Sequence, residues 1–191
     1  MDITKAKKIL GEKYSFSAVD TNKVIQGLNV PKNAKILDVG TGMGSLAITL
    51  ALNEYKVLTG EPKDDQSIYA KQSWHENAKK VNVDHLIEFK AFNAEDIPYG
   101  DGSFDAIFSL GTFHHVEDAK RKKVLQEFIR TTKFDGIICF FEPNQKAINM
   151  IRQTDASHPD AAELNKYIQG LNLISQKIEG SHFDAFVLQK Q

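Results

Sequence analysis

Seven short apolar runs punctuate this chain, and the first five alternate with stretches whose apolar residues recur at helical spacing. Such alternation specifies βαβ units wound around a parallel sheet. Residues 35–39, 55–59, 87–92, 104–109 and 136–141 are expected to form the buried strands. Helices are expected over 45–53, from 64 to about 80, and over 120–131, the last with Val124, Leu125, Phe128 and Ile129 on one face. Pro159 and Gly170 read as the start and stop signals of another helix. The runs 174–178 and 183–189 are joined only by Glu-Gly-Ser-His, too little for a crossover helix. They are therefore expected to be antiparallel neighbours.

The expected fold is α/β: a Rossmann-like, seven-stranded, mostly parallel sheet with helices on both faces and an antiparallel C-terminal hairpin. Residues 1–191 are read as a single domain, with 1–30 a helical accessory segment and 31–191 the core. Lys and Arg number 24 against 25 Asp and Glu, a formal net charge of −1. That balance lacks the basic footprint of a duplex-binding protein, so a nucleic-acid partner is not expected. The single cysteine, Cys139, can form no intramolecular disulfide, which suits a reducing cytoplasm. The N-terminal segment is charged and lacks the apolar core of a secretion signal. No apolar run approaches the roughly 18 residues of a membrane span, so a membrane partner is not expected.

Asp38-Val39-Gly40-Thr41-Gly42-Met43-Gly44 forms a glycine-rich turn between the first strand and the first core helix. Glycines let the backbone turn sharply and come close to a ligand. The helix that follows offers free N–H groups and a positive dipole end, suited to phosphate or carboxylate. A dinucleotide fingerprint, G-x-G-x-x-G, would need its third glycine at position 45, which is Ser45. The pattern present is G-x-G-x-G. No lysine is near to make a phosphate-binding P-loop, and a nicotinamide-dependent oxidoreductase is disfavoured.

Glu61 directly follows the second strand. An acidic residue at about this distance from a glycine loop accepts hydrogen bonds from ribose hydroxyls in Rossmann-type sites. A carboxylate can take both vicinal hydroxyls at once.

The glycine loop, Glu61 and the stretch from Asn93 to Asp105 (NAEDIPYGDGSFD) together resemble the class I S-adenosylmethionine-dependent methyltransferases, and within them the small-molecule branch with methyltransferase-11-like domains. The resemblance is strongest over residues 33–145. It implies S-adenosyl-L-methionine as methyl donor, S-adenosyl-L-homocysteine as product and a small-molecule methyl acceptor. It implies that Asp38, Gly40, Thr41 and Gly42 hold the methionine part, and that Glu61 with adjoining Pro62 binds the ribose. Asn93 and Ala94 would contact the adenine, while Leu110 and Gly111 would lie beside the amino group and sulfonium. Two residues depart from the pattern: Asn93 stands where Asp is frequent, and Thr59 stands where glycine is frequent.

His114 and His115 follow the fourth strand, at the edge where open α/β sheets bind ligands. Histidine titrates near neutrality, so His114 is the candidate catalytic base and His115 a candidate acceptor contact. Tyr14 and Phe16 are candidates to line the acceptor pocket, with ordinary core packing as the competing reading. The run Lys120-Arg121-Lys122-Lys123 reads as a solvated helix face. His75, His85, His158 and His182 show no ligand spacing, so no metal is expected. The (N/D/S)-P-P-(Y/F/W) signature of many RNA and protein amino-methyltransferases is missing from Ser109-Leu110-Gly111-Thr112. An RNA or protein methyltransferase and a non-catalytic cofactor-binding protein are the alternative readings. The expected assembly is a monomer or a homodimer.

Overall fold

Strand β1 (Ile36–Val39) is buried along its whole length, as a strand covered on both faces must be. In this computed structural model, which describes residues 1–65, 67–70 and 73–191, β1 lies near the centre of a seven-stranded sheet. The other strands are β2 (Val57–Gly60), β3 (Ile87–Phe89), β4 (Phe104–Leu110), β5 (Thr132–Pro143), β6 (Leu173–Ile178) and β7 (Phe183–Lys190). Their order is β3-β2-β1-β4-β5-β7-β6. The first five run parallel, and β7 pairs antiparallel with both β5 and β6. The C-terminal hairpin foreseen from its short link is therefore present. The order turns back between β1 and β4, so the loops after these strands diverge and leave a crevice at their carboxyl ends.

Alternation along the strands builds one core layer on each face. On one face Ile36, Phe108, Cys139 and Phe141 meet Ala18, Leu46 and Leu50 of helices α2 (Glu12–Gly27) and α3 (Ser45–Leu52). On the other, Leu37, Ile107, Ile138 and Phe140 meet Val124, Leu125 and Phe128 of helix α5 (Asp118–Thr131). The Phe128 and Phe140 rings stack 5.0 Å apart. Each fully buried side chain of this size contributes about 1.5–3 kcal/mol. Helices α1 (Ile3–Leu10) and α2 occupy most of residues 1–30.

Several boundaries differ from the sequence reading. Helix α4 spans only Trp74–Lys80, with residues 61–65 non-helical. Residues 66, 71 and 72, within the helix expected from 64, lie outside the described residues. Pro159 begins no helix; the helix there, α7, is the single turn Asn165–Ile168. Side chains hold the backbone before it: Arg152 Nε donates to the His158 carbonyl and His158 Nδ1 bonds the Pro159 carbonyl. Helix α6 (Gln145–Ile151) was not foreseen, although Asn144 caps it through the Ala147 N–H. Among the described residues no helix is long and apolar enough to cross a membrane.

Candidate functional site

The glycine loop leaves β1 at the carboxyl edge of the sheet and enters α3. Gly40 has φ +97°, and a Cβ there would lie 2.1 Å from Thr112 Oγ1 in the loop after β4. Only glycine allows that turn and that approach together. Gly42 sends its N–H to Glu61 Oε2 at 2.9 Å. The loop and the expected ribose acid are thus in direct contact. Pro62 follows Glu61 at the same edge and is partly buried.

The departure at Thr59 has a structural role. Its hydroxyl donates to Asp38 Oδ2 at 2.8 Å, and Thr41 Oγ1 lies 2.9 Å from Thr59 Oγ1. Because Thr59 spends its proton on Asp38, Thr41 is the donor to Thr59. The glycine is instead Gly60, where a Cβ would sit 2.2 Å from both the Lys90 carbonyl and the Phe92 ring. Glycine at this point lets the chain after β3 close down on β2.

Asp38 is 1% exposed, and its Oδ1 has no partner among the described residues. Burial pushes its carboxyl up to about 8, against the Thr59 hydrogen bond and with a smaller push from Glu61. A buried acceptor without a donor is costly, and it suits a site that receives a cationic ligand group.

Phe92 N–H bonds the Glu61 carbonyl at 3.2 Å, which sets Asn93 and Ala94 beside the acid. Asn93 is exposed, and its Oδ1 accepts the Glu95 N–H at 2.9 Å. That bond shapes the turn and keeps the amide NH2 as the group with donors to offer. A cleft of about 310 Å³ beside Glu61 is lined by Trp74, Phe89 and Ala91, and the Trp74 and Phe89 rings stack 6.0 Å apart. It offers an apolar wall for a flat ring.

At the end of β4, Gly111 N–H bonds the Phe141 carbonyl, and Leu110 and Gly111 are partly buried. His114 follows, 3% exposed, with Nδ1 2.9 Å from Glu142 Oε2 on β5. Its Nε2 has no partner among the described residues. His115 keeps an exposed face, yet partial burial and the neighbouring His114 and His158 pull it down to about 4. Burial likewise lowers His158, with His114 adding to the shift.

Tyr14 is a correction. It has no exposed surface, and its hydroxyl bonds Thr49 on α3, so it is core between α2 and α3. Burial raises its phenol to about 12. Phe16 is half-buried and reaches the sheet edge, its ring against His182 at 4.6 Å and Phe183 at 5.6 Å.

Sequence reasoning missed three residues at this edge. Glu142 reads as one polar residue ending an apolar strand, but it orients His114. Arg121, in a run that reads as a solvated face, donates to the carbonyls of His114 and Val116 and so clamps the loop after β4. His158 arrives from a distant segment, and no local spacing announces it.

Comparison with known proteins places the chain in a family. The family model of the methyltransferase domain matches residues 37–140. The chain is 36% identical over 112 residues to sarcosine/dimethylglycine N-methyltransferase of Halorhodospira halochloris, covering 58% of this chain and 38% of that one. It is 28% identical over 116 residues to 27-O-demethylrifamycin SV methyltransferase of Amycolatopsis mediterranei, covering 61% and 41% respectively. The chain thus spans about two fifths of the length of these relatives. A crystal structure of a SAM-dependent methyltransferase from Aquifex aeolicus superposes with a TM-score of 0.68 at 21% identity, covering 98% of each chain. At that identity the likeness is one of fold.

Proposed function

Since this chain belongs to the methyltransferase-domain family of class I S-adenosylmethionine-dependent enzymes, we propose that it binds S-adenosyl-L-methionine across the carboxyl ends of β1, β2 and β4 and methylates a small molecule. The observation that carries this reading is the pairing of Gly42 N–H with the Glu61 carboxylate beside the orphaned oxygen of Asp38. Those groups suit opposite ends of one adenosyl amino acid. Asp38, through Oδ1, is the counter-charge for an ammonium. Glu61 takes ribose hydroxyls, and Asn93, Ala94 and the Trp74–Phe89 cleft take the base. Gly40, Thr41, Gly42, Leu110 and Gly111 surround the methionine part.

The bound cofactor supplies a methyl group already activated on a sulfonium. The chain's task is then to hold an acceptor in line and keep water out, for which good positioning is worth roughly 7–11 kcal/mol. Phe16 and His115 border the acceptor side. His114 Nε2, held in place by Glu142, is the nitrogen we assign to the acceptor's proton where one must leave. The curated relatives carry both an N- and an O-methyltransferase name, so the acceptor atom is a heteroatom nucleophile on this reading.

Calorimetric titration tests the proposal. S-adenosylmethionine and S-adenosylhomocysteine should each bind with one-to-one stoichiometry, and NAD should give no heat of binding. NAD binding without S-adenosylmethionine binding would overturn it.

A further inference from the structure

Three histidines meet at the sheet edge, and one of them arrives from outside the motifs that mark the site. His114 and His115 lie in the loop after β4, while His158 lies between α6 and α7. Their ring centroids are 4.2, 5.1 and 5.1 Å apart. One nitrogen from each ring lies within 4.8 Å of one from each of the others.

Two of the rings are already oriented by their other nitrogen. His158 Nδ1 is 2.9 Å from the Pro159 carbonyl, which can only accept. Nδ1 therefore carries the proton, and Nε2 offers a lone pair. His114 Nδ1 faces Glu142 Oε2, which also accepts the Ala162 N–H. That carboxylate sets the same tautomer. His114 Nε2 is then a buried lone pair with no donor among the described residues, in a ring 3% exposed. Metal-ligating histidines are oriented in this way, with the far nitrogen donating to a carboxylate or a backbone carbonyl.

We propose that His114, His115 and His158 bind a divalent transition metal of the zinc class through three ring nitrogens, with a fourth position open to the methyl acceptor. Zinc holds imidazole nitrogens at about 2.0–2.1 Å, placing them about 3.4 Å apart in a tetrahedron. The nitrogens, now within 4.8 Å of one another, must draw in by up to about 1.4 Å to reach that size, and His115 has an exposed face that leaves it room to turn. Three protein nitrogens with an open position is the ligand count of zinc sites that act on a substrate. The cluster also borders the transfer site. An ideal Cβ on Gly111 would lie 3.9 Å from His114 Cε1. Tyr69 packs its ring 5.0 Å from His115, while its carbonyl sits 3.2 Å from where a Gly42 Cβ would be.

The acceptor class this site takes is a hydroxyl or thiol able to ionise on the metal. Its proton passes to solvent, its oxygen or sulfur forms the new bond to the methyl carbon, and the C–S bond breaks with its electron pair kept by the departing thioether. In the metal-bound chain the His114 Nε2 lone pair is a ligand, and its service as a base belongs to the metal-free chain. This acceptor role rests on the transferase reading; metal binding itself does not.

The experiment is equilibrium dialysis of chelator-stripped protein against Zn2+, with metal counted by mass spectrometry and the visible bands of the Co2+ form recorded. One equivalent of metal and a tetrahedral Co2+ spectrum are expected. His115→Ala, which removes a ring with an exposed face, and His158→Ala should each weaken binding at least tenfold. His85→Ala, outside the cluster, should leave it unchanged, with circular dichroism reporting the fold of every variant. Absence of stoichiometric metal in the unmodified chain, or unaltered affinity in folded His115→Ala, overturns the proposal. Stoichiometric metal without any S-adenosylmethionine binding upholds the metal site and brings down the transferase reading alone.

Discussion

Thr59 gives its hydroxyl proton to Asp38 across 2.8 Å, from β2 to β1, and this is the only hydrogen bond to the Asp38 carboxylate among the described residues. One oxygen is thereby anchored and the other is kept bare. A carboxyl raised to about 8 by burial is mostly protonated at pH 7. An incoming ammonium would favour its ionised form. Binding of S-adenosylmethionine at pH 7 should therefore release a proton, about half to one per ligand. Calorimetry in buffers of different ionisation enthalpy measures this. Adenosine, which lacks the ammonium, should release none. Heats independent of buffer would detach Asp38 from the cofactor amino group.

The same carboxyl should shape stability against pH. Its folded pKa lies above the unfolded value of 3.8, so the folded chain holds the proton more tightly. Its contribution is therefore fully present below about pH 4 and is lost as pH rises through about 8. In Asp38→Asn the neutral amide can still accept from Thr59. We expect that variant to gain stability over the natural chain at pH 9 relative to pH 5, while binding cofactor more weakly. Urea unfolding at the two pH values decides the matter; parallel curves would contradict it.

Glu61→Ala should weaken S-adenosylhomocysteine binding more than tenfold, which is about 1.4 kcal/mol or more. The variant loses both the ribose acceptor and the bond that fixes the Gly42 N–H. Glu61→Gln retains an oxygen for that N–H and should fall between the two. Equal affinity across the three proteins, measured by calorimetry, would remove Glu61 from the site.

Asp20 governs a different part of the molecule. It is 7% exposed and accepts three backbone N–H groups, from Ser181, His182 and Phe183, in the turn between β6 and β7. Asp20→Ala leaves those donors with a lost charged partner, so the expected cost is about 2–4 kcal/mol. Chemical denaturation should show a lower midpoint with an unchanged slope. A loss under 0.5 kcal/mol would mean that water replaces the carboxylate freely.

The strands were legible because burial on both faces forces continuous apolar runs, as in β1 and the Ile137–Phe141 part of β5. The meeting of the glycine loop with Glu61 was legible because the two follow strands that pair side by side, β1 and β2. What stayed hidden is of two kinds. Local competition moved helix boundaries: at Pro159 the backbone is taken up by Arg152 and His158 rather than by helical bonds. Convergence from afar created the rest. Thr59 departs from the family pattern, and its reason lies across the sheet in the Asp38 carboxylate. Arg121 looked like one cation in a run, but its neighbours do not share its carbonyl partners on the loop after β4. Tyr14 was open to two readings, and its packing against Thr49 separates them.

Gly60 leaves so little room that Phe92 rests directly on the backbone of β2, while the Phe92 amide also holds the carbonyl of Glu61. On the proposed reading the nucleoside end rests on backbone packed closely under the Phe92 ring, whereas the loop after β4 depends in addition on the side chains of Arg121 and Glu142. Sequence drift can remodel the second without loosening the first. One donor grip could in this way serve a succession of different acceptors.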